Sequence, residues 1–284
     1  MKTALVTGAT EGIGRETVRQ LLEREYRVLV HGRTHQRAVA ALEELRQAQP
    51  FARLDAVYGD LSLMSEVIGL AGQVAAKADV LDVLVNNAGV YLHEHTMTDD
   101  GLETTMAVNH FAPFLLTREL LELVNAAPRG RIITLSSSAH EKGKLEMRNF
   151  SFAYDLQGYE AYASSKLANV LFTGALARRL IASSATTYAV DPGVVTTRLL
   201  RVGWGITGDP VERGAETSVY LATQPDLEGA SGGYFANCSR VAPSVAAQDI
   251  DLAEALWDAT ELMLRNIARR APVASVQAEP RLSA

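Results

Sequence analysis

The sequence predicts an α/β fold: one doubly wound parallel sheet of about seven strands, with helices on both faces. Two observations lead to it. Short runs rich in Val, Leu and Ile alternate with longer segments of helical period, the pattern of repeated βαβ units. The short runs are also apolar almost throughout, which fits strands buried on both faces. The candidate strands are residues 3–7, 27–30, 53–58, 80–85, 131–135, 186–190 and 233–236. Helical periodicity marks 12–25, 35–47, 62–77, 98–108, 111–124, 159–181, 210–222 and 249–268. No shift of composition interrupts the alternation, so residues 1–270 are expected to form a single domain. Residues 271–284 carry two prolines and little periodicity and are expected to form a flexible tail.

Bulk properties narrow the function classes. A formal charge of -6 without a long basic block argues against a nucleic-acid partner. The apolar run after Met1 is too short for the hydrophobic region of a signal peptide, and no stretch approaches the ~20 apolar residues of a membrane span. The single cysteine, Cys238, forms no bridge within the chain and is expected to be a buried structural thiol. A cytoplasmic protein is the expectation.

The first strand runs directly into Thr7-Gly8-Ala9-Thr10-Glu11-Gly12-Ile13-Gly14, and a helix follows. Glycines there permit a tight turn and close approach of the backbone. Free amides and the helix dipole favour a pyrophosphate, as in a Rossmann-type dinucleotide fold. A purely structural turn explains the same glycines. At the end of the second strand stands Gly32-Arg33, where an NAD site would place a carboxylate on the ribose hydroxyls. Arg33 can instead fork onto a 2′-phosphate, so NADP(H) is favoured and NAD(H) stays open. Glu11 in the same turn would repel that phosphate, Arg15 could offset it, and a solvated Arg33 is the plain alternative. Asp60, before Leu61 and Ser62, can accept from an adenine amino group or cap the next helix.

Tyr162 and Lys166 are four positions apart in a helical segment and so share a face. An unperturbed phenol has a pKa near ~10, and an adjacent ammonium favours the phenolate, which would make Tyr162 an acid/base near neutrality. Surface neighbours show the same spacing by chance. At the end of the fifth strand, Ser136-Ser137-Ser138 place hydroxyls where ligands sit in such sheets.

The glycine turn, Asn86-Asn87-Ala88-Gly89, Asn109, the serine run, Tyr162 to Lys166 and Asp191-Pro192-Gly193 through Thr197 occur in an order and spacing that resembles the short-chain dehydrogenase/reductase family over about residues 1–240. That resemblance implies an oxidoreductase moving hydride between a nicotinamide and a carbonyl or alcohol. It implies Tyr162 as the proton donor or acceptor, Lys166 lowering its pKa and holding the nicotinamide ribose, Ser137 orienting the carbonyl, and Asn109 holding a water. Ser136 and Ser138 stay open for the orienting role. Asn87, Ala88 and Gly89 would border the cofactor, with Gly8, Thr10, Glu11, Gly12, Ile13 and Gly14 at the phosphates and Asp60 and Leu61 near the adenine. Pro192, Gly193, Val195 and Thr197 would line the carboxamide. Homodimers or homotetramers through helices near Phe111 and Tyr159 are common among such relatives.

Within the family, Val108-Asn109-His110-Phe111, Phe114-Leu115-Leu116-Thr117 and Ser164-Ser165-Lys166-Leu167-Ala168-Asn169 resemble the retinol dehydrogenase and WW-domain oxidoreductase group. A long interval between Ser137 and Tyr162 also fits that group and leaves a substrate loop at 140–158; a hydrophobic aldehyde, ketone or secondary alcohol is implied. Leu199, Leu200, Trp204 and Ile206 among glycines at 198–210 suggest a mobile lid, or an ordinary surface loop. His93-Glu94-His95 lacks a third ligand, so no metal site is expected. The competing classes are a dinucleotide-binding regulatory protein without turnover and a sugar-nucleotide epimerase or dehydratase. The complete Ser, Tyr, Lys and Asn set disfavours the first, and the spacing of Gly8, Gly12 and Gly14 the second.

Overall fold

The computed structural model describes residues 1–146, 158–225, 227 and 229–270. Its strands are β1 (Thr3–Val6), β2 (Arg27–Gly32), β3 (Leu54–Tyr58), β4 (Val83–Asn86), β5 (Arg131–Leu135), β6 (Thr186–Asp191), β7 (Tyr234–Ala236) and β8 (Ser239–Val241). They form one sheet in the order β3-β2-β1-β4-β5-β6-β7-β8. All neighbours from β3 to β7 are parallel, and β8 returns antiparallel at the edge. The chain winds outward through β2 and β3, then crosses to β4 on the other side of β1. The carboxyl ends of β1 and β4 therefore flank the crevice where such sheets bind ligands.

The helices are α1 (Gly12–Leu22), α2 (His35–Ala48), α3 (Met64–Ala75), α4 (Thr104–Met106), α5 (Ala112–Asn125), α6 (Gly158–Arg179), α7 (Arg198–Trp204), α8 (Val211–Thr223) and α9 (Ile250–Arg270). Successive strand residues point to opposite faces and divide the core in two. Leu5, Leu29, Leu84 and Ile132 pack with α3, α5, α6 and α9. Ala4, Val6, Val28, Val85 and Ile133 pack with α1, α2 and α8. Among the described residues, no helix is long and apolar enough to cross a membrane.

Four features depart from the expected layout. The expected helix at 98–108 is mostly a turn: Gly101 takes φ +77 and its amide donates to the Thr98 carbonyl, while the Asp100 carboxylate accepts from the Met64 amide at the start of α3. Helix starts only at Thr104 and passes through a π-turn, Ala107–Phe111, into α5. The expected lid at 198–210 is largely α7, capped by the Thr197 hydroxyl accepting from the Leu200 amide and ended by Gly205 at φ +65. An eighth strand follows a two-residue turn, Asn237 at φ +49 and Cys238 at φ +58, the mirror-image geometry that suits hairpins. Cys238 is thus half-buried in a turn and not in the core.

The beginning of the expected substrate loop at 140–158 is pinned. The main chain of Lys144 exchanges two hydrogen bonds with the Ser164 hydroxyl of α6, and Leu145 packs on the core. Residues 147–157 of that loop, and the tail at 271–284, lie outside the described residues. Finally, α9 lies across α5 and α6. Trp257 stacks on Phe172 and touches Phe114, the Arg179 guanidinium covers the indole, and Glu254 pairs with Arg178 and Arg179. The surface that α5 and α6 offer at Phe114 and Phe172 is thereby taken by α9.

Candidate active site

The glycine turn leaves β1 and is held by residues from two other segments. The Gly8 amide donates to His31 Nδ1 at 3.0 Å, so Nε2 carries the proton toward the Gly59 carbonyl, also at 3.0 Å. Burial pushes the His31 imidazole down to about 4, so the ring stays neutral in its tie to the turn. Asn87 donates to the carbonyls of Thr7 and Gly8, and the Thr7 hydroxyl accepts from the amides of Asn87 and Ala88. Space is as tight as the bonding implies: a Cβ on Gly8 would meet Ala88 Cα at 2.9 Å, and one on Gly14 would meet the Gly8 carbonyl oxygen at 2.3 Å. Helix α1 then starts at Gly12 with no side-chain cap and no acid in its first turn. Its leading amides point out of the turn as an anion site would require.

Arg33 and Asp60 stand together at the ends of β2 and β3. Both Nε and Nη2 of Arg33 reach one Asp60 oxygen, at 2.8 and 2.6 Å, while the other oxygen accepts from the Ser62 amide and hydroxyl. Burial works to raise the Asp60 carboxyl, but the bonds from Ser62 and Arg33 together hold it below its ordinary value. Leu61 is buried in the core. Arg15, expected as a charge that could offset Glu11, reaches Glu44 at 2.6 Å, and Arg37 approaches Glu11 at 3.5 Å.

On the far side of the crevice, α6 presents Tyr162 and Lys166. The Lys166 ammonium lies 5.4 Å from the centre of the Tyr162 ring and donates to the Leu135 carbonyl at 3.1 Å. Of the three serines, Ser137 is the one whose side chain faces the phenol, whereas the Ser136 hydroxyl donates to the Lys166 carbonyl at 2.8 Å. Asn109 lies in the π-turn, a distortion common at functional sites. Its amide nitrogen donates to the Val90 carbonyl and the Ser165 hydroxyl, and its oxygen accepts from the Val90 amide. The side chain thus clamps the strand end beyond Gly89, and both its N–H donors are committed before any water is held. A Cβ on Gly89 would lie 3.5 Å from both Asn109 Oδ1 and Lys166 Nζ, so this residue closes the gap between the two segments.

The expected acidic phenol is not what the resting site contains. Burial raises Tyr162, Asp191 and Tyr159 add to the effect, and Ser137 opposes it only in part. Burial likewise pushes Lys166 down to about 8, with Asp191 opposing. Desolvation, which both groups share, outweighs the preference for the phenolate that a neighbouring ammonium gives. A stability signature follows. The folded chain releases the Lys166 proton near pH 8, whereas the unfolded chain holds it to the ordinary value of 10.5. Between these values the unfolded state binds more protons, so stability rises with pH; the raised Tyr162 reverses the slope only above about pH 10. Urea unfolding of the cofactor-free protein at about pH 7 and about pH 9 should show this rise, and Lys166→Met should remove it.

Beyond Asp191, Gly193 takes φ +81 and its amide donates to the Asp191 carboxylate, while Pro192 remains half-buried at the crevice edge. Val195 is buried and close to Gly214 of α8, and Thr197 caps α7 with its methyl near Gly12. Thr10 and Ile13 are half-buried within the turn. Helix α7 brings Trp204 against Tyr91, with ring centres 4.6 Å apart, and against Tyr162 at 5.5 Å. Tyr91 also touches Tyr162 at 5.8 Å, and His93 Nε2 donates to the Val202 carbonyl at 3.0 Å. His93 therefore fastens α7 over the phenol. Tyr91 and His31 were not singled out from the sequence; the available signal was a polar ring at the carboxyl end of an apolar strand.

A parallel sheet with an uncapped helix in a glycine turn, facing a buried tyrosine and lysine and a half-buried serine, is the architecture of a dinucleotide-dependent oxidoreductase. The chain belongs to the short-chain dehydrogenase family, whose family model matches residues 2–202. It is 37% identical over 287 residues to retinol dehydrogenase 14 of Mus musculus, covering 93% of this chain and 86% of that one. It is also 37% identical over 276 residues to the chloroplastic short-chain dehydrogenase TIC 32 B of Brassica napus, covering 90% and 86%. A solved structure of an uncharacterized Mycobacterium Paratuberculosis protein superposes with a TM-score of 0.78 at 29% identity, over 93% of this chain and 94% of that one. The chain is accordingly an enzyme acting on CH–OH or C=O groups with a nicotinamide dinucleotide, and it resembles the retinol dehydrogenase group of that family.

Proposed function

We propose that this enzyme transfers hydride between NADP(H) and an apolar aldehyde, ketone or secondary alcohol, with Tyr162 as the proton donor in the reducing direction. The observation that carries the reading is the buried Tyr162 with the Lys166 ammonium 5.4 Å from its ring centre and Ser137 beside it, across one crevice from the glycine turn. The residues fit the dinucleotide. The uncapped start of α1 suits a pyrophosphate, and Gly8 and Gly14 lie where a Cβ would break the turn. Residues 8–14 would hold the phosphates, Asp60 and Leu61 the adenine side, Asn87, Ala88 and Gly89 the floor, and Pro192, Gly193, Val195 and Thr197 the carboxamide.

When bound, the nicotinamide supplies or accepts the hydride. Ser137 holds the substrate oxygen, and the neutral Tyr162 gives it a proton; in the oxidising direction the phenol takes one. Lys166 stabilises the charge left on the phenol and binds the nicotinamide ribose. Asn109 fixes Val90 and Ser165 around this pair. Trp204 and Tyr91 exclude water and offer an apolar surface to the substrate. Loss of NADPH absorbance with a panel of apolar aldehydes and ketones tests the reading, and turnover of only charged or sugar-like carbonyls would defeat its substrate part.

Arg33 supports NADP(H), since its guanidinium is two-thirds exposed and can turn to a 2′-phosphate, although Asp60 competes for it. Arg33→Asp should weaken NADPH by about tenfold or more and change NADH little, as titration calorimetry would show. Equal effects on both cofactors would refute the assignment. We also place the enzyme in the cytoplasm, where a lone thiol such as Cys238 stays reduced.

A further inference from the structure

His140 lies in the 3-10 turn Ser138–Lys142 that follows β5, one helical turn beyond Ser137, and only 1% of it is exposed. Each of its ring nitrogens has a single partner, and the partners differ in kind. Nδ1 is 2.7 Å from the Ser137 carbonyl oxygen, which can only accept. Nε2 is 3.0 Å from the Ser244 amide, which can only donate. The two bonds are satisfied together by one form of the ring, neutral with its proton on Nδ1. The Ser137 carbonyl also accepts from the His140 amide at 3.0 Å, so this one residue grips it twice. The ring of Tyr234 in β7 lies 4.8 Å away at 59° and holds the imidazole from the side.

The two ends of this clamp have different consequences. One fixes the main chain of the serine whose side chain lies beside Tyr162. The other ties that turn to the segment between β8 and α9. Ser137 is otherwise the first residue of a short turn, and its Oγ accepts from the Ala139 amide at a long 3.2 Å. A small rotation there would carry the hydroxyl away from the substrate oxygen.

We propose that His140 is a positioning residue for the reaction: the Nδ1–H that its imidazole donates to the Ser137 carbonyl sets the orientation of the Ser137 hydroxyl toward Tyr162. The inference rests on the oxidoreductase reading of Ser137, and it adds a residue that touches neither substrate nor cofactor.

Two substitutions separate the two bonds. Asn places an amide nitrogen where Nδ1 stands and cannot reach Ser244, whereas Gln reaches Ser244 with its amide oxygen but offers no donor at the Nδ1 position. His140→Asn should therefore keep most of the wild-type kcat, and His140→Gln should lose between about tenfold and a hundredfold, with the NADPH dissociation constant unchanged in both. Full activity in both, loss confined to Asn, or loss in both would each overturn the proposal, and weakened NADPH binding would assign His140 to the fold alone. A readout independent of turnover is nitrogen NMR of the histidine-labelled enzyme, with the His140 signal identified by its absence in His140→Asn. It should show a neutral ring protonated on Nδ1, and protonation on Nε2 would overturn the clamp. A wild-type enzyme that consumes no NADPH with any carbonyl, yet shows the Nδ1 form, would instead strike the oxidoreductase reading and leave the clamp in place.

Discussion

Tyr162→Phe is expected to lower kcat for carbonyl reduction by about 10²- to 10⁴-fold, the range that loss of a positioned acid produces. The substitution removes one oxygen and little else. The ring keeps its neighbours Tyr91 and Trp204, and the Lys166 ammonium keeps its place 5.4 Å from the ring centre. The hydroxyl that the substitution removes is buried beside Ser137, and its loss changes stability by about 1 kcal/mol. The variant should therefore melt near the wild type and bind NADPH with unchanged affinity while failing to turn over. Stopped-flow measurement of NADPH oxidation separates these quantities, and turnover at the wild-type rate would remove Tyr162 from the chemistry.

The second large effect is expected at Gly14. Its backbone has no unusual requirement, since only Gly8 and Gly12 of this turn take positive φ. What it lacks is room: a Cβ would lie 2.3 Å from the Gly8 oxygen and 2.4 Å from Asn87 Nδ2, both closer than any real contact. Gly14→Ala must push apart the glycine turn and the asparagine that holds it, at a cost of about 1–3 kcal/mol in stability. NADPH affinity should fall by at least about tenfold, because the amides that face the phosphates move with the turn. Gly69, exposed in α3 with nothing within 4 Å of its added Cβ, is the matched control. Gly69→Ala should stabilise the protein by about 0.5–1 kcal/mol through helix propensity and leave NADPH binding untouched. Thermal melts and calorimetric titration of the two variants make the comparison, and normal NADPH binding by Gly14→Ala would count against the turn as the phosphate site.

The sheet was legible because its strands are apolar throughout and separated by helices of clear period, and seven of its eight strands follow from that pattern. The eighth does not. The hairpin turn that makes it, Asn237-Cys238, lacks the glycine that usually announces two consecutive left-handed residues. Helix α7 was hidden for a different reason. Its seven residues include an internal glycine, so the signals were its ends, Thr197 as cap and Gly205 in the left-handed region, more than its middle. The π-turn around Asn109 adds a residue to a helical turn, which a search at a period of 3.6 registers as a break.

The candidate site was legible as a set of residues, less so as a set of energies. Sequence spacing correctly put Tyr162 and Lys166 on one side of α6, but burial is a property of the whole fold, and it reverses the expected acidity of the phenol. The same is true of Arg15 and Arg37, whose partners depend on how α2 lies against α1.

The cover that α9 provides has a consequence for biosynthesis. Phe114 and Phe172 emerge from the ribosome long before Trp257, the residue that seals them. During that interval the nascent chain carries a greasy, half-finished flank, a state prone to sticking to other chains. Docking of Trp257, more than closure of the central sheet, is then the step that covers this flank.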